Sequence, residues 1–183
     1  MSGAKEYYTR DNYQDTLRQN IFIHHDLIYG IPLADQSADF VYSSHFLEHL
    51  DRSVGRRLLE ECLRVLKPGG VLRIAVPDLE CGWELYKLGE KERMIHDFFF
   101  AEEMTGFGQH RYAYDYEMLH DALAQIGFAN IQRAVFQEGA TPDLKLLDNR
   151  EDYTLFVEAY APDDSCRSTV SHKVIAENGN LKI

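Results

Sequence analysis

Residues 39–78 restrict the possible folds of this chain more than any other stretch. They read as an apolar strand, Phe40-Val41-Tyr42, then a polar run, Ser43-Ser44-His45-Phe46-Leu47-Glu48-His49. An amphipathic helix follows, and a second apolar strand from Val71 to Val76 ends in Pro77-Asp78. Within the helix Val54, Leu58, Leu59, Cys62, Leu63 and Leu66 recur at steps of 4, 1, 3, 1 and 3, so one face is apolar. Lys67-Pro68-Gly69-Gly70 should stop it, because proline cannot donate to the helix and a glycine readily takes the left-handed closing conformation. Strand, helix and strand in this order form a right-handed crossover between parallel strands. Polar residues gather at the carboxyl ends of both strands, which is where open parallel sheets bind ligands. The pattern predicts an α/β protein with a site on that edge.

The flanks read less sharply. Ile21-Phe22-Ile23 is a short β-type run that ends in His24-His25-Asp26, and Gly30-Ile31-Pro32-Leu33 with Asp35-Gln36-Ser37 reads as loop and turn. Phe98-Phe99-Phe100 cannot all face one core, so part of it should line a pocket or an interface. Thr105 to Tyr112 reads as a loop. Asp115 is placed to cap a helix carrying Met118, Leu119, Ala122, Leu123 and Ile126, with Gly127 to close it. Strands are expected at 131–136 and 154–159, as an antiparallel pair. Asn178-Gly179 between two short β-type runs signals a hairpin, so residues 163–183 are expected to be appended to a domain spanning 1–162.

At 183 residues with 45% hydrophobic content, the chain has enough material for one cored, soluble domain. Its formal charge of −11 would repel a phosphate backbone, so no nucleic-acid partner is expected. The three cysteines, Cys62, Cys81 and Cys166, have no close spacing. That pattern fits neither a disulfide framework nor a Cys-rich zinc site, and it suits a reducing compartment. No signal-like apolar leader or membrane-length segment is visible, so a cytoplasmic protein without membrane contact is expected.

From Ile21 to about Ala161 the sequence resembles the small class I S-adenosylmethionine-dependent methyltransferases of the type 11 kind, in particular a small bacterial subgroup. The resemblance is carried by Asp26-Leu27 with Gly30-Ile31-Pro32-Leu33, by Ser37-Ala38-Asp39-Phe40-Val41-Tyr42 and by His45-Phe46-Leu47-Glu48-His49. Leu63-Arg64-Val65-Leu66-Lys67-Pro68-Gly69-Gly70 and Ile74-Ala75-Val76-Pro77-Asp78 complete it. It implies a mostly parallel Rossmann-like sheet, truncated at its N-terminal strands and ending in an antiparallel pair. It also implies S-adenosylmethionine as cofactor and a small-molecule or sugar-like methyl acceptor. In such a site Asp26 would accept a hydrogen bond from the adenine amino group, and Leu27 would offer its amide to the ring. Ser43, Ser44 and His45 would lie beside the methionine portion. His45 or His49 would act as general base toward an acceptor hydroxyl.

The sequence departs from the family at its start. Family members open with a strand running into a Gly-x-Gly turn, then a second strand ending in an acid that binds the ribose. Here Gly3 is the only glycine before Asp26, and neither Asp11 nor Asp15 ends a strand-like segment. Weak cofactor binding by the chain alone is therefore expected. The missing central strand would leave an edge open beside Phe40 to Tyr42, to be paired by Ile21 to Ile23 or by another chain. With the phenylalanine cluster and the appended hairpin, that edge points to a homodimer. The competing reading is a catalytically inactive methyltransferase-like binding or assembly protein.

His45-x-x-Glu48-His49 also matches the inverted zinc-protease pattern, with His24, His25 or His110 to be nominated as a third ligand. The methyltransferase pattern explains the same residues together with their flanks, so no metal is expected. No Gly-x-Ser-x-Gly elbow occurs to support a serine hydrolase.

Overall fold

A computed structural model describes residues 20–99 and 109–163. Gly3, Asp11, Asp15, Phe100, the run Thr105 to Gly108, Cys166 and the expected hairpin beyond Asp163 lie outside the described residues. The frame is a four-stranded sheet of β1 (Ala38–Ser44), β2 (Leu66–Pro77), β3 (Ala129–Arg133) and β4 (Thr154–Tyr160), in the order β1-β2-β4-β3. β1 and β2 are parallel, and β4 lies antiparallel between β2 and β3. β1, β2 and β3 therefore share one direction and β4 alone opposes them, as the expected mostly parallel sheet with a closing antiparallel pair requires. The helices are α1 (Arg52–Val65), α2 (Leu79–Lys87), α3 (Lys91–Phe99), α4 (Tyr116–Ile126) and the single turn α5 (Leu144–Leu147).

Alternation along the strands divides the sheet into two unlike faces. Leu72, Ile74 and Val76 of β2 and Leu155, Val157 and Ala159 of β4 pack with Leu58, Leu59 and Cys62 of α1 and Leu119 and Leu123 of α4. Each such aliphatic side chain contributes about 1.5–3 kcal/mol on burial, so this face holds the fold together. Cys62 belongs to it as a core residue, its thiol pushed up to about 12 by burial. α4 begins and ends as its sequence directs. Asp115 Oδ1 accepts from the Met118 amide at 2.8 Å, and Gly127 closes the helix at φ +111°.

The opposite face is ionic. Arg73, fully buried at the middle of β2, donates to Asp148 Oδ2 at 2.5 Å and to Glu158 Oε1 at 3.2 Å. Glu158 also accepts from the Ala140 and Thr141 amides at 2.9 and 3.1 Å, and Asp148 accepts from the Gln137 amide at 2.8 Å. Arg73 Nη2 further donates to the Val135 carbonyl at 2.8 Å. One guanidinium and two carboxylates thus fix residues 135–148 across the sheet, with a hydrogen bond for every charge. Nothing in the sequence around Arg73 marked it as buried.

Two local expectations are corrected. α1 stops at Val65, with Leu66 already extended at φ −70° and ψ 133°, so neither Gly69 nor Gly70 closes it. These glycines serve the strand instead. Gly69 sits at φ +73°, and a Cβ on Gly70 would meet the carbonyls of Lys67 and Asp39 at 2.9 and 3.0 Å. The second correction concerns Ile21-Phe22-Ile23, which forms no strand and is exposed at 91, 62 and 56%. An apolar triplet lacks the length to dictate pairing on its own. The outer edge of β1 therefore has no partner strand among the described residues.

Candidate active site

The carboxyl ends of β1 and β2 carry the chemistry, and the turn after β1 is where it concentrates. β1 ends with Ser43 and Ser44 half-buried, and His45 then turns the chain at φ +47°, a region that non-glycine residues rarely occupy. The His45 amide donates to the Ala75 carbonyl at 2.8 Å, which ties the strained residue to β2. Leu47–His49 forms one 3-10 turn and leads into α1.

Two clefts open on either side of this turn. The first, of about 270 Å³, is lined by His25, Asp26, Leu27, Ile28, Phe46, Leu50, Val54 and Leu58. Its walls are largely apolar, with one carboxylate at Asp26. Asp26 Oδ1 caps the 3-10 turn Leu27–Tyr29 by accepting from the Ile28 amide at 3.1 Å. That segment is held to α1 through Gly30 and Ile31. Gly30 sits at φ +96°, where a Cβ would fall 2.6 Å from Glu61 Oε2. The second cleft, of about 360 Å³, is lined by His45, Pro77, His96, Asp97, Phe98, Arg150, Asp152 and Tyr153. It mixes apolar walls with charges of both signs. Tyr153 opposes His45 from just before β4 and is also left-handed, at φ +55°. Strained non-glycine residues of this kind gather where a structure holds a side chain for use.

Behind the turn lies a cluster of ionisable groups. Glu48 is 1% exposed, and neither carboxylate oxygen has a hydrogen-bond partner. His45 Nδ1 and His49 Nε2 approach Glu48 Oε1 at 3.4 and 3.9 Å. His110 arrives from the segment before α4, which is held to the turn by the Arg111 and Tyr112 amides donating to the Glu48 carbonyl at 2.7 and 3.1 Å. The rings of His49 and His110 meet edge-on with centroids 4.9 Å apart. Burial holds the His110 imidazole below its ordinary pKa. At the end of β2, Asp78 caps α2 by accepting from the Glu80 amide at 3.1 Å, and burial raises its carboxyl above the usual range.

The structure thus sorts the residues named from the sequence. Asp26 and Leu27 share the apolar cleft, and His45 lines the second one. Ser43 and Ser44 lie at the strand end and line neither, and His49 faces Glu48 and His110 instead. Phe46 in the first cleft and Arg150, Asp152 and Tyr153 in the second are not marked by the sequence reading. Phe46 lay inside the recognised motif and could have been nominated. Residues 150–153 sit in a loop whose reach to His45 depends on the position of β4, and no local signal announces that.

S-adenosylmethionine, the cofactor implied by the resemblance, is matched only in part. The apolar cleft with Asp26 at its rim suits an adenine ring, but at about 270 Å³ it falls below the usual size of a pocket for a whole ligand. No glycine turn or ribose-binding acid stands beside β1 among the described residues.

The methyltransferase-domain family matches residues 3–74. Among solved structures, the chain is similar to a SAM-dependent methyltransferase from Thermotoga maritima titled a possible histamine N-methyltransferase, at 21% identity and a TM-score of 0.50, covering 83% of this chain and 69% of that one. It is also similar to a SAM-dependent methyltransferase from Archaeoglobus fulgidus, at 21% identity and a TM-score of 0.54, covering 83% of this chain and 72% of that one. No curated protein matches. No helix among the described residues is long and apolar enough to cross a membrane. The chain thus carries a match to a methyltransferase domain over residues 3–74 and shares the fold of these SAM-dependent methyltransferase structures.

Proposed function

We propose that the chain provides the adenine end and the acceptor end of a site for S-adenosylmethionine-dependent methyl transfer to a small-molecule or sugar-like acceptor. One observation carries this reading: the consecutive residues His45 and Phe46 line different clefts. A ligand laid across the turn would have its base beside Asp26, Leu27 and Phe46 and its reacting end toward His45. The cofactor supplies an activated methyl group when bound. The protein's part is alignment of donor and acceptor, which methyl transfer needs more than covalent help. Arg150, Asp152, Asp97 and His96 offer the hydrogen-bonding groups that a polyhydroxylated acceptor requires, and His45 in the same cleft would take a proton from one hydroxyl.

In this reading the site is completed by a second copy of the chain, paired along the open edge of β1, in a cytoplasmic homodimer. The unpaired edge and Phe40, exposed at 46% upon it, support that arrangement. The alternative is an inactive assembly protein that uses the same edge, and the absence of a glycine turn among the described residues favours it.

Titration of the full isotope-labelled chain with S-adenosylhomocysteine, read by amide shifts, separates the two. Micromolar cofactor binding amounts to about −8 kcal/mol, and each lost hydrogen bond to a charged or buried group removes roughly 1.5–3 kcal/mol. The expected result is weak binding with shifts at residues 25–28 and 43–50. No shift at millimolar ligand would leave the assembly reading.

A further inference from the structure

The Glu48 carboxylate presents an electrostatic problem. It is side-chain buried to 2% exposure, both oxygens lack hydrogen-bond partners, and the residues facing it are histidines. The orientation of those histidines can be read from their other contacts. His49 Nδ1 lies 3.2 Å from the Gln109 carbonyl, and His110 Nδ1 lies 2.8 Å from the Phe98 carbonyl. A carbonyl can only accept, so each Nδ1 carries the proton and each neutral ring turns the lone pair of Nε2 outward. A backbone carbonyl on the far nitrogen is the arrangement that orients metal-bound histidines.

With each Nδ1 spent on a carbonyl, the free nitrogen of each ring is an acceptor, as is the Glu48 carboxylate, and the His49 one lies 3.9 Å from Glu48 Oε1. The ligand atoms offered by Glu48, His49 and His110 all lie within 4.8 Å of one another. Bonds of about 2.0–2.1 Å would bring them to roughly 3.4 Å apart, which modest rotation of the two imidazoles can achieve. His49 keeps 28% of its side chain exposed, so the cluster has a path to solvent.

The geometry points to a site for a divalent first-row transition metal, Zn²⁺ or Mn²⁺ in kind, held by Glu48, His49 and His110. Two histidines and one carboxylate occupy three positions and leave others open. This differs from the inverted zinc-protease pattern, in which His45 and His49 would be the ligands. Here Glu48 is itself a ligand and His45 stands outside the triad, bridging from Glu48 Oε1, 3.4 Å from its Nδ1, to Thr154 Oγ1, 3.4 Å from its Nε2. The inference does not depend on methyl transfer, and its test uses no cofactor.

The full chain, stripped with chelator, should be titrated calorimetrically with Zn²⁺ and Mn²⁺ and followed by thermal unfolding. One ion per chain is expected at micromolar affinity, with a rise in Tm. Glu48→Gln and His110→Ala should each weaken binding at least about tenfold, the loss that removal of even an outer partner brings. His120→Ala, at an exposed histidine of α4, should bind like the parent chain. Glu48→Gln has a second readout. Without metal it removes a buried unpaired charge, so its Tm should equal or exceed that of the metal-free parent while losing the metal-induced rise. Failure of both metals to bind the parent chain would overturn the assignment. So would equal affinity in Glu48→Gln, or a metal-induced rise in Tm that survives His110→Ala.

Discussion

Glu61 Oε2 lies 2.7 Å from Arg64 Nη2, and this pair takes both backbone hydrogen-bonding groups of Ile31. Glu61 accepts from the Ile31 amide at 2.9 Å and Arg64 donates to its carbonyl at 2.8 Å. Arg64 also reaches the Leu33 carbonyl at 2.9 Å and Asp35 at 2.7 Å. One turn of α1 thereby fixes the loop that carries Asp26 and Leu27.

That clamp should depend on pH. The hydrogen bond from Arg64 holds the Glu61 carboxyl below its ordinary value, with the Ile31 amide adding to the effect. A depressed carboxyl pKa contributes stability that is full above the unfolded value, about 4.3, and is lost as pH falls through the folded one. Glu61 keeps 28% of its side chain exposed and pairs with a similarly exposed Arg64, so screening keeps the effect on global stability under about 1 kcal/mol. Amide exchange at residues 26–33, taken relative to the unstructured rate at each pH, should accelerate below that range in the parent chain. In Glu61→Gln it should be fast at neutral pH with little further dependence. A flat profile in the parent chain would show that the clamp does not hold the loop.

Asp26→Ala should weaken S-adenosylhomocysteine by about 1–3 kcal/mol, because a charge-assisted hydrogen bond is lost. Asp26→Asn keeps a capping oxygen and should fall between the two. Amide-shift titration measures both. Equal affinity in all three proteins would confine Asp26 to its role at the Leu27–Tyr29 turn.

Arg73→Met should cost about 3–5 kcal/mol in urea unfolding, since it strands two buried carboxylates that share one cation. Arg56→Met, at an exposed pair with Glu60, should cost under about 1 kcal/mol. Similar costs at the two positions would mean that Asp148 and Glu158 find other partners.

The contrast between these two arginines shows what the sequence made legible. The apolar face of α1, though not its end, the Asp115 and Gly127 caps and the apolar face of β2 follow from local periodicity and turn chemistry, and these appear where expected. Arg73 sits in the apolar run Val71 to Val76, yet its partners lie 75 and 85 residues away, beyond any local pattern. The site divided in the same way. His45, Glu48 and His49 stood out as one motif, but the approach of His110 and Tyr153 depends on how distant segments return to the sheet. Ile21-Phe22-Ile23 erred in the opposite direction, since a β-type composition cannot supply a neighbour to pair with.

Light scattering should find the full chain dimeric at micromolar concentration. Phe40→Lys, which places a charge on the open edge of β1, should shift it to monomer with little loss of stability. A chain cut after Pro162 tests whether the C-terminal residues contribute. A monomeric parent chain would rule out pairing through β1.

The strand order also bears on how the sheet is made. β4 lies between β2 and β3, so these two strands are joined only through it, and that link is incomplete until residue 160 has been synthesised. Glu158 travels on the same strand, and Arg73 lacks its second carboxylate until then. A nascent chain emerging only as far as residue 150 could pair β1 with β2 but could not join β3 to them. Closure of the sheet is thus a long-range, late event, of the kind that folds slowly and leaves strand edges exposed to chaperones in the interval.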